Sequence, residues 1–269
     1  MTLDGKRVLL TGAGGHLGKM LRERLHGKVK LLRLSDISAM TPARAGEEVV
    51  VCDLGNEAGV HALCSGIDAI IHLGGFSHEG DWPTIHNANI LGAIHLWEGA
   101  RKAKVERILF ASSNHAVGLR RRSPVIDHTA GARPDSRYGL SKAFGEDIAS
   151  LYAYKHGVKG YCMRIGSCFE KPRDERMLSS WMSFDDFERL VHVGLTADYT
   201  YEIVYGMSRN TRTWWDNANA YRLGYDPKDN AEVFAAEVTG KVSANPLDEE
   251  FQGGGYVSPE FEGDAKTIP

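Results

Sequence analysis

Six short apolar runs alternate with helix-like segments over the first 165 residues, and this alternation is the strongest constraint on the fold. The runs are Arg7–Thr11, Val29–Leu34, Val49–Cys52, Ala69–Leu73, Ile108–Ala111 and Tyr161–Ile165. Strands that are apolar on both faces and alternate with helices form parallel sheets that helices cover on both sides. The sequence therefore predicts an α/β fold with a doubly wound, parallel, Rossmann-type sheet. Ligands of such sheets bind beyond the carboxyl ends of the strands, so the polar residues that follow the runs mark the expected cleft.

The rhythm changes after residue 170. We expect residues 1–170 to form the sheet core, and residues 171–269 to form a small C-terminal ligand-binding or lid region packed on it. Apolar spacing predicts helices at Glu57–Cys64, Thr84–Lys104, Tyr138–His156, Ser183–Val193, Asp216–Leu223 and Asp229–Val238, and a further strand at Tyr199–Val204. Asp229 and Glu232 have the spacing of a capping box. The Gly- and Pro-rich tail from Gln252 to Pro269 is expected to be extended.

Composition excludes several classes of function. A formal charge of −3 argues against a general polyanion binder, and no apolar run has the roughly 20 residues that span a bilayer. We therefore expect no nucleic-acid or membrane partner, and a solvated face for Arg120–Arg122. Neither the 4 cysteines nor the 11 histidines have ligand spacing, so no metal is expected. The first residues lack the apolar segment of a secretory signal, which predicts a cytoplasmic protein.

A glycine-rich turn follows the first apolar run and opens a helix. Residues 11–18 read TGAGGHLG, which places Gly12, Gly15 and Gly18 at G-x-x-G-x-x-G spacing. Glycine permits a tight turn and a close backbone approach, and the helix N-terminus, beginning with His16 and Leu17, offers N–H groups to a pyrophosphate. Together these features indicate a dinucleotide site.

Polar residues at the next strand ends complete this predicted site. Asp36 lies 24 residues after Gly12, where a carboxylate can accept hydrogen bonds from both ribose hydroxyls and repel a 2′-phosphate. This favours NAD, although the nearby Arg33 leaves NADP use open. The remaining candidates for contact with the adenosine half are Asp53, Leu54, Leu73, Gly74 and Asn89. Taken singly, Asp36, Asp53 and Asn89 could instead be helix caps or turn residues, but together they favour the nucleotide site.

A phenol and an ammonium group occur one helical turn apart at Tyr138 and Lys142. A neighbouring cation stabilises a phenolate and lowers the pKa of the phenol, which would let Tyr138 act as a general base. Ser113 stands 25 residues earlier at a strand end, where its hydroxyl could reach the same oxygen atom of a substrate.

With these residues in place, the chain resembles the extended branch of the short-chain dehydrogenase/reductase superfamily. Over nearly its whole length it is similar to the uronate dehydrogenases. The segments that carry this resemblance are Ala111–His115, Tyr138–Glu146, Arg164–Cys168, Arg176–Trp181, Trp214–Asn217 and Phe251–Gly254.

The resemblance implies NAD-dependent oxidation of the anomeric carbon of D-glucuronate or D-galacturonate to an aldarolactone. It implies catalysis by Ser113, Tyr138 and Lys142, with Lys142 and Ile165 also contacting NAD. The residues that it implies for the sugar are Ser77, Ser113, Asn114, His115, Tyr138, Ser167 and Arg176. A guanidinium can hold a carboxylate by two parallel charge-assisted hydrogen bonds, so Arg176 suits the acidic group of a uronate. The superfamily also implies a homo-oligomer.

Two other functions remain open at this point. A nucleotide-sugar epimerase or dehydratase of the same branch would use the same serine, tyrosine and lysine. A noncatalytic NAD-sensing protein on this fold is a third possibility, although such proteins often lack the tyrosine and lysine.

Overall fold

The computed structural model describes residues 3–269, which form a seven-stranded sheet and a separate two-stranded pair. Along the chain the strands are Arg7–Thr11 (β1), Leu31–Asp36 (β2), Glu47–Val51 (β3), Ala69–His72 (β4), Arg107–Ser113 (β5), Lys159–Ile165 (β6), Ser167–Cys168 (β7), Trp181–Met182 (β8) and Tyr201–Gly206 (β9). The order in the large sheet is β3-β2-β1-β4-β5-β6-β9, and β7 pairs with β8.

The α-helices separate most of these strands. They are His16–Leu25 (α1), Glu57–Cys64 (α2), Trp82–Ile85 (α3), Gly92–Lys102 (α4), Arg137–His156 (α5), Met177–Ser180 (α6), Phe184–Thr196 (α7), Ala218–Arg222 (α8), Ala235–Val238 (α9) and Pro246–Glu250 (α10). The helix expected over residues 84–104 is interrupted, because His86–Leu91 has π-helical hydrogen bonding between α3 and α4. Across the described residues, every helix is too short or too polar to cross a bilayer.

The sheet confirms the predicted fold class. Strand β1 runs parallel to both β2 and β4, with Leu9 opposite Arg33 on one side and Ile70 on the other. Strands β4 and β5 are buried along their whole length, as expected for strands that are apolar on both faces. Strand β2 ends two residues later than the apolar run, so that Asp36 is its last residue.

The chain divides into two compact units. The first comprises the residues through Ala111 with Phe144–Cys162 and Val191–Glu202, and the second comprises Ser112–Ala143, Met163–Leu190 and Ile203–Pro269. The units interleave along the sequence. The predicted assignment of residues 1–170 to the sheet core and of residues 171–269 to a ligand-binding or lid region stays a prediction.

The predicted capping box near residue 229 is wrong. Asn230 caps a 3₁₀ turn at Ala231–Phe234 by accepting a hydrogen bond from the backbone N–H of Glu232, and α9 follows directly. Asp229 instead accepts a hydrogen bond from the hydroxyl of Ser183, at the start of α7. Asp229 and Asn230 are neighbours in the sequence, and either side chain can cap a helix. Spacing alone therefore did not show which of them is the cap.

Two further expectations for the second unit are corrected. The tail is not simply extended: it begins with buried Gln252 and contains 3₁₀ turns at Gly254–Tyr256 and Ala265–Thr267. The arginine run is not a solvated face either. Arg121 donates to backbone carbonyls of the tail at Ala265 and Ile268. Arg121 and Arg122 also form ion pairs with Glu250 and Glu249 of α10. These partners lie more than 120 residues away along the chain, so the charge run alone did not indicate them.

Candidate active site

The glycine turn has the close backbone contacts that a dinucleotide loop requires. Gly12 has a φ of 69°, and a Cβ at this position would lie 2.7 Å from the backbone nitrogen of Gly74. A Cβ at Gly18 would overlap the carbonyl oxygen of Gly12. Helix α1 begins directly afterwards at His16, and its cap residue Gly15 provides no side-chain hydrogen bond. The N–H groups of the first turn therefore suit an anionic ligand such as a pyrophosphate.

A cleft of about 530 Å³ opens beside this turn in the first unit. Five residues of the predicted nucleotide site line it: Gly12, Asp36, Asp53, Leu54 and Gly74. They come from the ends of β1, β2, β3 and β4, the edge at which ligands of parallel sheets bind. The size lies within the usual range for cofactor pockets. These residues therefore fit the adenosine half of a dinucleotide.

The carboxylate of Asp36 is held at the rim of the glycine turn. It accepts hydrogen bonds from the backbone N–H of Gly14 at 2.9 Å and of Ser38 at 3.1 Å. Arg33, which left NADP use open, binds elsewhere. Its guanidinium donates to Glu48 at 2.7 Å, and to the carbonyl oxygen of Leu63 at 2.7 Å. The guanidinium of Arg33 is therefore hydrogen-bonded to other groups of the first unit and not to Asp36.

Other predicted cofactor residues have structural contacts. Buried Asn89 accepts from the backbone N–H of Phe76 and donates to the carbonyl of the same residue. Leu73 contributes backbone that packs against Gly12. Leu17 is half-buried in the first turn of α1, outside the cleft lining. Cofactor contacts for these residues stay predictions.

Ser113, Tyr138 and Lys142 come together in the second unit. Ser113 is the last residue of β5, Tyr138 lies in the first turn of α5, and Lys142 follows one turn later. All three are buried, and the serine hydroxyl is hydrogen-bonded to the phenol. The ammonium nitrogen of Lys142 lies 5.4 Å from the centre of the Tyr138 ring. The arrangement provides a phenol, a hydroxyl and a cation around one point.

The expectation that the pKa of Tyr138 is lowered is wrong for this structure. Burial raises the pKa of the phenol well above its usual value, and the hydrogen bond with Ser113 only partly opposes that effect. Burial also lowers the pKa of Lys142 to about 8. Low polarity disfavours both charged forms, so an enclosed site weakens the cation that was expected to acidify the phenol.

Two residues that the sequence did not predict, Asp135 and Tyr256, orient His115. The Nδ1 atom of His115 lies 2.7 Å from Oδ2 of Asp135, whose side chain is fully buried. The imidazole also stacks on the ring of Tyr256, with the ring centres 3.9 Å apart, and meets Tyr138 edge to face at 5.8 Å. No sequence motif links these residues to His115, because Asp135 lies 20 residues later and Tyr256 lies in a tail that was expected to be extended.

Arg176 is held by backbone of the tail. Its Nε donates to the carbonyl oxygen of Gln252 at 3.0 Å, and its Nη2 donates to the same oxygen. With the amide of Asn114 oriented to donate to the carbonyl of Ile165, its oxygen accepts from Nη2 of Arg176 at 3.0 Å. Gln252 was also missed. Its own amide accepts from Trp215 at 2.8 Å, and the only sequence signal was its place in a segment shared with the uronate dehydrogenases.

The two remaining sugar candidates lie in different units. Ser167, the first residue of β7, has its hydroxyl oxygen 3.0 Å from that of Ser180, the last residue of α6, in the second unit. Ser77 is exposed in the loop after β4 of the first unit. Among residues 3–269, no group of three or more acidic, histidine or cysteine side chains is arranged to hold a metal ion.

Comparison with known proteins identifies the family of this chain. Residues 8–184 match the model of the NAD dependent epimerase/dehydratase family, and the chain belongs to that family. Over nearly its whole length, the chain is also similar to uronate dehydrogenases. The enzyme from Pseudomonas putida is 50% identical over 260 residues, which cover 95% of this chain and 97% of that protein.

Two solved structures extend this similarity to three dimensions. Glucuronic acid dehydrogenase from Chromohalobacter salexigens is 44% identical, with a TM-score of 0.91 over 94% of this chain and 97% of that one. A variant of uronate dehydrogenase from Agrobacterium tumefaciens, complexed with NAD, is 42% identical, with a TM-score of 0.90 over 95% and 98% of the two chains.

Proposed function

We propose that this protein oxidises a hexuronate, D-glucuronate or D-galacturonate, at its anomeric carbon with NAD and releases the aldarolactone. Near-complete coverage of three uronate dehydrogenases at 43–50% identity supports the reaction. The observation that carries the chemistry is the burial of Ser113, Tyr138 and Lys142 together in the second unit. Arg176, the candidate for binding the substrate carboxylate, belongs to the same unit.

The cleft beside the glycine turn is the proposed NAD site. The first turn of α1 would hold the pyrophosphate, Asp36 the adenosine ribose, and Asp53 with Leu54 the adenine. Bound NAD supplies the acceptor for the hydride that leaves the sugar. The proposed cofactor contacts of Lys142 and Ile165 stay predictions.

Tyr138 is the proposed base. Its phenolate removes the proton of the anomeric hydroxyl while Ser113, which is hydrogen-bonded to it, holds the oxygen atom at which charge develops. As that O–H bond breaks, a carbon–oxygen double bond forms at C1, and C1 loses its hydrogen as hydride. Oxidation of a cyclic hemiacetal yields a lactone directly, so the sugar ring stays closed throughout.

Arg176 is the proposed partner of the substrate carboxylate. The contacts with Gln252 and Asn114 use Nε and Nη2, and none of them uses Nη1. A guanidinium fixed on one edge can bind an anion on another without losing its orientation. We assign the sugar hydroxyl groups to Ser77, Ser113, Asn114, His115 and Ser167. A homo-oligomeric state and a cytoplasmic location stay predictions.

A comparison of four substrates tests this function. NADH formation is measured by absorbance with glucuronate, galacturonate, glucose and UDP-glucuronate at equal concentration. We expect turnover with at least one free uronate, much less with glucose, and none with UDP-glucuronate. An epimerase or dehydratase regenerates NAD in each cycle and forms no net NADH, so conversion of UDP-glucuronate is followed by analysis of the sugar product. Conversion of UDP-glucuronate without NADH formation from either free uronate would contradict the proposal and favour a nucleotide-sugar enzyme.

A further inference from the structure

We propose that Asp135 is a positioning residue that fixes the tautomer and orientation of His115 toward the sugar. The inference rests on the proposed function, since it concerns how one of the sugar-binding side chains is set. Asp135 is not assigned a contact with the reacting atoms. It acts through the imidazole.

The hydrogen bond between the two side chains fixes the proton on one ring nitrogen. Oδ2 of Asp135 lies 2.7 Å from Nδ1 of His115, and the carboxylate is fully buried. An ionised carboxylate can only accept hydrogen bonds. Nδ1 must therefore carry the hydrogen, and in the neutral ring Nε2 is left as a hydrogen-bond acceptor. A sugar hydroxyl is the chemical partner that such an acceptor selects.

The carboxylate itself is held on both sides. The backbone N–H of Asp135 donates to the carbonyl of His115 at 3.4 Å. Its Oδ1 accepts from the hydroxyl of Ser136 at 2.7 Å, and that hydroxyl accepts in turn from the backbone N–H of Gly139 at 2.9 Å. Both oxygens therefore have a defined donor, so the side chain is not free to rotate away from the imidazole.

Three glycines from separate segments make room for this carboxylate. A Cβ at Gly118 or Gly253 would overlap Oδ2 of Asp135, and one at Gly139 would lie 3.0 Å from Oδ1. Those segments are the loop after β5, the first turn of α5 and the tail. Close packing on three sides fixes the position of a side chain more strictly than a single hydrogen bond does. It also explains why a larger acid could not replace this aspartate.

Aromatic contacts set the plane of the imidazole. Tyr256 stacks on one face of His115 at 3.9 Å, with an interplanar angle of 29°, and Tyr138 approaches at 66°. A ring flip would keep this plane but exchange the positions of nitrogen and carbon, and so break the bond to Asp135. The hydrogen bond and the stack together leave one orientation, with the proposed base, Tyr138, next to the ring.

Nitrogen-15 NMR of the histidine rings tests the assignment without substrate. In the purified full chain we expect His115 to be protonated at Nδ1. Asp135→Leu leaves no acceptor facing Nδ1, so we expect the population protonated at Nδ1 to fall. The same tautomer in both proteins would overturn the proposal. Melting temperature confirms that each variant is folded.

Kinetics with a matched variant separates positioning from structural support. We expect Asp135→Asn to lower kcat/KM for the uronate about tenfold or more, with binding of NAD unchanged within about twofold, since hydrogen bonds to charged groups have effects of this size. His115→Asn keeps an amide N–H where Nδ1 was but removes Nε2. In that background, Asp135→Asn should cause no further loss.

An equal loss with and without His115 would overturn the positioning role, because Asp135 would then act through the fold alone. Absence of NADH from both uronates in the unmodified chain would instead contradict the proposed function. The NMR result distinguishes the two failures, since the tautomer is set in the protein without sugar or cofactor.

Discussion

Arg176 and Gln252 are joined through a single backbone oxygen, to which the guanidinium donates from both Nε and Nη2. The carbonyl thus aligns the guanidinium as a carboxylate would, but carries no full charge to neutralise it. The side chain of Gln252 is fully buried and accepts from Trp215, so this carbonyl is firmly placed. A fixed cation that keeps its charge is what recognition of an acidic sugar needs.

The first prediction concerns Arg176→Lys. The variant keeps the charge but loses the planar fork, so kcat/KM for glucuronate or galacturonate should fall about 10- to 100-fold, in line with about 1.5–3 kcal/mol for a hydrogen bond to a charged group. Steady-state kinetics with a uronate and with glucose measures the difference. Arg173→Lys, at an exposed position three residues earlier, is the control and should leave both substrates unaffected. Equal losses on uronate and glucose would remove Arg176 from the carboxylate role.

The second prediction concerns the proposed base. Tyr138→Phe keeps the buried ring and removes the hydroxyl, so kcat should fall roughly 10²- to 10⁴-fold, the usual contribution of a general base. Binding of NAD, followed by fluorescence titration, should be little changed. Tyr154 lies on the same helix and is 70% exposed, so Tyr154→Phe is the control and should behave as the unmodified chain. A Tyr138→Phe enzyme with near-normal kcat would exclude the phenol as base.

The third prediction is the pH dependence of the reaction. Burial lowers the pKa of Lys142 to about 8 and raises the pKa of Tyr138. Above pH 8 Tyr138 and Lys142 together have lost one proton. That proton can come from either group, so the singly deprotonated pair includes the form with a Tyr138 phenolate beside a Lys142 ammonium group. We therefore expect kcat/KM for the uronate to rise with pH through an apparent pKa near 8.

A substitution of Lys142 checks this interpretation. In Lys142→Met the only proton left to lose belongs to the phenol, so the rise should move to higher pH and the rate at neutral pH should fall. Stopped-flow or steady-state rates from pH 6 to 10 measure both profiles. A Lys142→Met profile that rises at the same pH as the unmodified one would show that Lys142 does not set it.

The fourth prediction concerns the choice between NAD and NADP. Asp36 lines the cleft, whereas Arg33 is bound to Glu48 and to backbone carbonyls. Asp36→Asn removes the charge that would repel a 2′-phosphate, so the ratio of kcat/KM for NADP to that for NAD should rise. Arg33→Ala should leave this ratio unchanged within about twofold. A fall in NADP use on loss of Arg33 would show that the guanidinium reaches the cofactor.

The sequence predicts those features of the molecule that depend on residues close together in the chain. An apolar run defines a strand, the glycine turn defines a phosphate loop, and Tyr138 and Lys142 share a helix face because they are four residues apart. Asp135, Tyr256 and Gln252 could not be found in this way, since their roles depend on contacts between distant segments of the chain. Burial changed one chemical inference too: a spacing of four residues brings a cation near a phenol, but only the enclosed structure shows that burial raises the pKa of the phenol and lowers the pKa of the ammonium group.

The last prediction concerns stability and the ion pairs of Glu47, the first residue of β3. The carboxylate is almost fully buried and accepts from Arg22 at 2.6 Å and Arg44 at 2.8 Å. Burial alone would raise its pKa, but these hydrogen bonds overcome that effect and lower it from 4.5 to about 2. Because the folded state holds its proton less tightly than the unfolded state does, the contribution of Glu47 is complete above pH 4.5 and is lost as the pH falls toward 2.

Removing this charge should therefore be costly at neutral pH and cost little in acid. We expect Glu47→Gln to lower the free energy of unfolding by about 3 kcal/mol at pH 7, the value that corresponds to such a pKa shift and lies within the range for breaking a buried pair. Urea unfolding at pH 7 and at successively lower pH measures both quantities. Glu48→Gln, the next residue along the same strand with its side chain 44% exposed, should cost no more than about 1 kcal/mol. A Glu47→Gln protein that loses stability between pH 4.5 and 2 as steeply as the unmodified chain would assign the acid sensitivity to other carboxylates.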